Sequence, residues 1–338
     1  MSKEKLKVML TGGAGFIGSH LAEALISGGA ELSIIDNLDD FYSPSWKRRN
    51  LACISLRGEY ALYEIDIRDF EKMEDLFVKE RPDILIHLAA RAGVRPSIDQ
   101  PRLYETVNVS GTLNLLELCR KFRVPKFIFG SSSSVYGATS HVPFSEDEVE
   151  LRPISPYAAT KLSAELLCYT YAHLFHISTI CLRFFTVYGP RQRPDLAIHK
   201  FISLIERDQP LPIFGDGSAG RDYTYVDDIV SGVLSALRYE PKEVSGARFE
   251  VFNLGNSHPV KLTELVEQLE LVAGRKAIRQ LKPMPPGDVP ITWANISKAR
   301  RYLGYDPAVP FVEGLSRFVN WHRSEALRRQ DLPLNAPV

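Results

Sequence analysis

A chain of 338 residues is long enough for one large or two ordinary domains with a sizeable core. Its 41 Lys and Arg balance its 41 Asp and Glu, so no whole-chain charge draws it to nucleic acid or an anionic membrane surface. Hydrophobic residues make up 45%, which fits a globular chain and argues against disorder, yet no apolar run reaches the length of a bilayer span.

The N-terminal Met-Ser-Lys-Glu-Lys runs straight into a strand-like segment and carries no secretory pattern. Short apolar runs then alternate with longer helical patterns. Strands are predicted at 6–10, 32–35, 62–65, 84–88, 127–129 and 179–184, with helices between them at 19–27 and 111–122 among others. Continuously apolar strands in such alternation predict a parallel sheet covered on both faces. A seventh strand at 249–254 is expected to rejoin that sheet after an excursion. The excursion opens near Gly189-Pro190, where "YGPRQRPD" and "QPLPIFGDGSAGRD" are rich in Pro and Gly, and "LKPMPPGDVP" follows at 281–290. These stretches predict a smaller, loop-rich domain built from two separated pieces. The four cysteines (Cys53, Cys119, Cys168, Cys181) are scattered without CxxC spacing, as expected of buried free thiols in a reducing, cytoplasmic compartment.

The first strand is followed by "TGGAGFIGSH", which places Gly12, Gly15 and Gly18 before a helix. Glycines there permit a tight turn, let backbone N–H groups approach a pyrophosphate and let helix and sheet pack closely. The alternative is a glycine-rich turn without a ligand, but the strand-to-helix context is the one a dinucleotide site requires. Asp36 follows the second strand, eighteen residues beyond Gly18. A carboxylate there accepts bonds from both adenosine ribose hydroxyls and repels a 2′-phosphate, so NAD is expected rather than NADP. The fold class is therefore α/β, a Rossmann-type doubly wound parallel sheet with a smaller, loop-rich substrate-binding domain. Residues 1–185 and 222–255 are assigned to NAD binding, and 186–221 and 256–338 to the substrate.

"SSSSVYG" at 131–137 ends the fifth strand on a patch of hydroxyls. That strand's carboxyl end is where open α/β sheets bind ligands. Further on, "SPYAATK" lets Ser155 cap a helix with Pro156 at its first position. Tyr157 and Lys161 then share one helix face. A free tyrosine has a pKa of about 10, and a nearby ammonium and a positive nicotinamide would both favour the phenolate. A surface helix pair is the plain alternative for any YxxxK.

Glycine loop, Asp36, strand-end serines and Tyr-Lys pair, in this order, resemble the short-chain dehydrogenase/reductase superfamily, and the GxxGxxG spacing resembles its extended, nucleotide-sugar branch. The resemblance implies Ser132, Tyr157 and Lys161 as the catalytic set. It also implies cofactor contacts from Phe16, Ile17, Asn37, Asp66, Ile67, Leu88, Ala89, Ala90, Asn108 and Phe184, beside the glycines, Asp36, Tyr157 and Lys161. "HLAARAGVRPS", "LRFFTVYGPRQRPDLA", "GRDYTYVDDIV" and "GDVPITWANISKA" are similar to UDP-glucuronate 4-epimerases. Two departures stand out, Arg91 where glutamine is expected and Pro285-Pro286 in a loop that often carries a basic or amide residue. Related dehydratases and decarboxylases place an acid two positions after the catalytic hydroxyl, where this chain has Ser134.

The resemblance thus implies C4 epimerisation of a UDP-sugar, UDP-glucuronate to UDP-galacturonate, through a 4-keto intermediate. Ser133, Ser134, Thr186 and Arg193 would hold the uronate carboxylate by charge-assisted bonds, although Arg193 could equally be a surface loop residue. Arg221 and Asp288 would hold the diphosphate and ribose, with Phe214 beside the nucleotide and Arg95 either lining the sugar pocket or structural. No metal is expected: His173 and His176 are three apart on an apolar helix, and "WKRR" at 46–49 reads as a solvated helix face. Aliphatic stripes within 103–122 and 162–175 imply, by the same resemblance, a homodimer through a four-helix bundle. The rival readings are a UDP-glucose 4-epimerase, a UDP-glucuronate decarboxylase and a non-catalytic NAD-binding sensor.

Overall fold

The computed structural model describes residues 5–139, 141–283 and 288–330. Pro285-Pro286, the first four residues and 331–338 lie outside them. The central sheet contains β1 (Lys7–Thr11), β2 (Glu31–Ile35), β3 (Ala61–Tyr63), β4 (Ile84–His87), β5 (Lys126–Ser132) and β6 (Ser178–Phe184). Later strands are β7 (Thr186–Tyr188), β8 (Pro210–Phe214), β9 (Gly220–Tyr225), β10 (Phe249–Leu254), β11 (Pro259–Lys261) and β12 (Ile278–Lys282). The order β10-β6-β5-β4-β1-β2-β3 is parallel throughout, so the seventh predicted strand does rejoin the sheet, beside β6.

The inner strands bury both faces, and their residues divide by parity. Val8, Leu10, Ile34, Ile86, Ile128 and Ile180 join one core, while Met9, Ile35, Leu85, Phe127, Phe129 and Cys181 join the other. Leu21, Ala22 and Leu25 of α1 (Phe16–Ser27) close the first core; α2 (Pro44–Ser55) follows along the same side. The second is covered by α3 (Phe70–Glu80) and, after two short helices α4 (Val94–Asp99) and α5 (Pro101–Glu105), by α6 (Gly111–Phe122) and α7 (Pro156–Phe175). A π-helical turn, Thr106–Ser110, joins α5 to α6. Side chains alternate between two covered faces, so most positions are apolar and these strands read as near-continuous runs.

The remaining strands form two small sheets, β11-β9-β7 and β12-β8, drawn from the Pro- and Gly-rich stretches. Asp222 on β9 ties the chain at 256–257 to that at 294. It is fully buried and accepts the backbone N–H of Asn256 at 2.7 Å, Ser257 at 3.0 Å and Ala294 at 2.9 Å. Burial raises its carboxyl pKa, with these backbone bonds opposing the shift. Among the described residues no helix is long and apolar enough to cross a membrane.

Two expectations need correction. The fifth strand runs three residues past the predicted 127–129, because Ser131 and Ser132 keep ladder partners in Arg183 and Phe184. Ser131 and Ser132 therefore stand on the strand itself, and Ser133 and Ser134 open the turn at Ser133–Tyr136. Lys47 of "WKRR" is buried rather than solvated, held 3.4 Å from Asp36, whose buried charge it offsets. Arg48 does remain exposed.

Replacing Asp222 by Ala strands three backbone donors at once. We expect a loss of at least about 3 kcal/mol, at one or more per unmet buried group, read as a lower urea midpoint with unchanged slope.

Candidate active site

The strand order reverses between β1 and β4, and an open cavity of about 480 Å³ lies at that switch point. Gly12, Gly15 and Gly18 form its floor. Gly12 has φ +72°, and a Cβ there would meet the Ala89 backbone nitrogen at 2.7 Å. A Cβ on Gly18 would stand 2.1 Å from the Gly12 carbonyl oxygen. Only glycine lets loop, helix and β4 approach so closely, and the resulting cradle at the N-terminus of α1 suits a pyrophosphate. The residues present therefore fit a dinucleotide.

Asp36, Asn37, Asp66, Ile67, Phe16, Ile17, Leu88, Ala89, Ala90 and Phe184 all line this cavity, as expected. Asp36 is buried and already accepts the N–H of Ala14 at 3.2 Å and of Leu38 at 2.9 Å. Asp66 binds Asn37 at 2.9 Å and Arg68 at 2.8 Å, and Arg68 holds its carboxyl down at about 2. Asn108 is the exception. It is buried away from the cavity, where its amide bonds Arg91 O and Thr160 Oγ1 at 3.0 Å and receives Arg91 N at 2.8 Å. Its task is to fasten the loop after β4 to α7, since a π-turn points this side chain inward.

His87, at the end of β4, is fixed in one tautomer. Thr112 spends its hydroxyl proton on Asn108 O at 2.6 Å, so Nε2 of His87 must donate to Thr112 Oγ1 at 2.9 Å. Nδ1 then accepts from Thr11 Oγ1 at 2.8 Å, and that oxygen receives the Ala89 N–H. Burial, aided by the charge of Lys161, lowers the His87 pKa to about 3. The ring is a neutral spacer.

Ser155 caps α7 by accepting the Ala158 N–H at 3.2 Å, with Pro156 in the first turn. This aims Tyr157 and Lys161 into the cavity beside Ser131, Ser132, Ser133 and Ser134. The Tyr157 ring meets Tyr104 edge-on at 6.2 Å. Burial raises the phenol's pKa; its hydrogen bond with Ser132 and the positive charge of Arg193 pull the other way. The ammonium of Lys161 donates instead to Gly130 O at 2.8 Å and lies 4.7 Å from the Phe129 ring. Its pKa falls to about 8 because it is buried. Arg193 thus adds a positive charge near the phenol that the sequence reading did not name.

Arg193 is not a surface residue. Its side chain is only 15% exposed and lines the cavity with Thr186. Ser134 Oγ donates to Ser132 Oγ at 3.0 Å. Arg95, Phe214 and Asp288 gather elsewhere: the Arg95 guanidinium stacks 4.9 Å from Phe214 and pairs with Asp288 at 2.9 Å, outside the cavity lining. Arg221 donates to the neighbouring Gly220 O and also stands outside it.

The sequence reading missed what lies behind the serines. Glu165, one turn past Lys161, accepts Ser131 Oγ at 2.5 Å and a two-pronged contact from Arg183 at 3.0 and 2.7 Å. Arg183 also lies 4.8 Å from the Tyr136 ring, and Tyr136 donates to Asn253 at 2.7 Å. Glu165 continues the i, i+4 row of Tyr157 and Lys161, a signal that could have found it. Asp39, Phe41 and Tyr42 of the loop after β2 were missed as well, although they line the cavity.

Residues 9–318 match the family described as GDP-mannose 4,6 dehydratase. A UDP-glucuronate 4-epimerase of Thermodesulfobacterium geofontis is 42% identical over 316 residues, 93% of this chain and 95% of that protein. The crystal structure of UDP-glucuronic acid 4-epimerase from Bacillus cereus, in complex with UDP-glucuronic acid and NAD, matches with a TM-score of 0.87. That match is at 38% identity and covers 95% of this chain and 100% of the other. A UDP-glucose 4-epimerase from Thermotoga maritima, solved with UDP-glucose, gives 0.87 at 35% identity with the same coverage.

Removing only Glu165 leaves Arg183 charged, buried and unpaired. Glu165→Ala should cost about 3–5 kcal/mol in denaturant unfolding, whereas a Met at both 165 and 183 should cost far less.

Proposed function

The chain belongs to the GDP-mannose 4,6 dehydratase family of extended short-chain dehydrogenases/reductases, and from that premise we propose that it is an NAD-dependent 4-epimerase converting UDP-glucuronate to UDP-galacturonate. NAD, held over the glycine cradle with its ribose at Asp36, supplies the acceptor for the C4 hydride and returns that hydride to the opposite face. Asp36 makes NADP a poor substitute. Tyr157 takes the O4 proton, with Ser132 hydrogen-bonding the same oxygen and Lys161 holding positive charge beneath. The 4-keto sugar then turns about its diphosphate tether and presents its other face.

The observation that carries the uronate reading is the guanidinium of Arg193 in the reacting end of the cavity. A 4-keto uronate is a β-keto acid. It loses CO2 when the bond to its carboxylate stands perpendicular to the carbonyl plane, because the breaking bond then feeds the π system. Hydrogen bonds from Arg193, Thr186, Ser133 and Ser134 would hold that bond near the plane. Ser134 in place of an acid also leaves no group poised to assist elimination.

Arg95, Phe214, Arg221 and Asp288 form the nucleotide end in this reading, supported by the Arg95–Asp288 pair and the stacking on Phe214. We assign 1–185 and 222–255 to the cofactor and 186–221 and 256–338 to the sugar nucleotide, since the large sheet takes its strands from 7–184 and 249–254. A homodimer through α6 and α7 is supported by exposed apolar side chains there, among them Leu113, Leu166, Tyr169, Leu174 and Phe175. Four free cysteines, three of them buried, accord with a cytoplasmic protein. The neutral-sugar epimerase stands second, favoured by the equal match to the Thermotoga maritima enzyme.

Tyr157→Phe keeps the ring and removes the phenol, so fold and NAD binding should survive while turnover drops at least about a hundredfold. Near-normal turnover in that variant would sink the assignment of the base. Ser132→Ala should do more harm than Ser133→Ala.

A panel of UDP-sugars, with products resolved by chromatography, tests the substrate. UDP-glucuronate should be epimerised with little CO2 released, and Arg193→Ala should weaken its use and raise the share of decarboxylated pentose. If UDP-glucose is turned over far better and Arg193→Ala changes neither substrate, the neutral-sugar reading takes its place.

A further inference from the structure

Arg193 does not offer its whole guanidinium to the cavity. Nε donates to Asp195 Oδ1 at 2.9 Å and Nη2 to Asp195 Oδ2 at 2.7 Å, the two-pronged arrangement a carboxylate makes with one edge of the group. Nη2 also reaches Ala92 O, at 3.4 Å. Among the described residues no acceptor meets Nη1. The plane is fixed further by Phe41, whose ring centre lies 5.1 Å from Arg193 and 5.0 Å from Arg91, itself paired with Asp39. Arg193 is thus clamped on its Nε edge and open only at its tip. Burial disfavours its charge, but Asp195 more than offsets this and keeps it protonated.

A carboxylate-gripping residue in a reaction that requires the sugar ring to turn faces two demands. It must hold the carboxylate through oxidation, and it must let go enough for the ring to present its other face. A two-pronged guanidinium–carboxylate contact is strong and directional. It would stabilise the resting pose as much as or more than the turning one, and binding spent on the ground state does not speed the reaction.

We propose that Asp195 is a positioning residue that occupies the strong edge of Arg193, so that the substrate carboxylate meets the single nitrogen Nη1 and is held loosely enough to turn. The inference rests on the uronate reading above. Asp195 never touches the reacting carbon, and its side chain is 41% exposed at the rim, so its replacement should leave the fold intact.

The test is a split between binding and turnover. With Asp195 replaced by Ala, both edges of Arg193 become free, and the NAD-loaded protein should bind UDP-glucuronate roughly tenfold more tightly by calorimetry, the worth of one added charge-assisted bond. Turnover should fall by a similar factor, because the gain is made in the pose that must be left. Asp195→Asn keeps one acceptor and should show the same split in smaller measure. UDP-glucose, with no carboxylate, should show neither change. A uniformly weakened or unchanged variant, or one whose affinity and turnover for UDP-glucose move equally, overturns the clamp. If the wild-type protein itself neither binds nor converts UDP-glucuronate, the substrate reading fails and the clamp falls with it. A normal wild type with no split in either variant removes the clamp alone.

Discussion

The reacting end of the cavity is built on an ion pair nearly sealed from water. Glu165 and Arg183 have side chains only 5% and 4% exposed, and they join α7 to β6 across β5. Two charges taken out of water are held only if each finds several partners. Glu165 finds Ser131 and both prongs of Arg183; Arg183 finds Glu165 and the face of Tyr136. These are the elements that carry the serines and the Tyr157–Lys161 row. Their mutual placement is therefore set by a contact with a narrow range of acceptable geometry, where apolar packing alone would tolerate a sliding helix.

A second constraint acts on the loops. Asp222 gathers three backbone donors from two segments on one carboxylate, and the Asp39–Arg91–Phe41–Arg193–Asp195 chain links loops after β2, β4 and β7 around the cavity mouth. Irregular backbone carries polar groups that need partners. Here those partners are a few carboxylates and guanidinium groups, which lets long Pro- and Gly-rich stretches adopt one shape without a large core of their own.

Much of this could be read from residues alone. The seven strands were visible because strands covered on both faces are mostly apolar. The glycine loop, Asp36 and the capped Tyr-Lys helix were visible because each needs a particular residue at a particular spacing. What stayed hidden was contact between residues far apart in the chain. Nothing local tells that Asn108 bonds the loop after β4, that Lys47 turns inward to Asp36, or that Arg95 and Asp288 meet across 193 positions. The extra length of β5 was hidden for a related reason: serine's poor strand propensity was overridden by ladder partners in β6.

His87 bears on how acid–base data from this protein should be assigned. A rate profile with a limb close to neutrality invites a histidine, since no other side chain ordinarily titrates there. This one sits within hydrogen-bond reach of two threonines and one layer below the cofactor loop, an inviting suspect. Yet both ring nitrogens are committed, one as donor and one as acceptor, and its proton affinity has been pushed down to about 3. Burial lowers Lys161, which also lines this cavity, to about 8. A limb that follows ammonium and not imidazole would carry the opposite lesson for buffer choice: the Lys161 charge is lost on the alkaline side, and mild acid leaves it untouched.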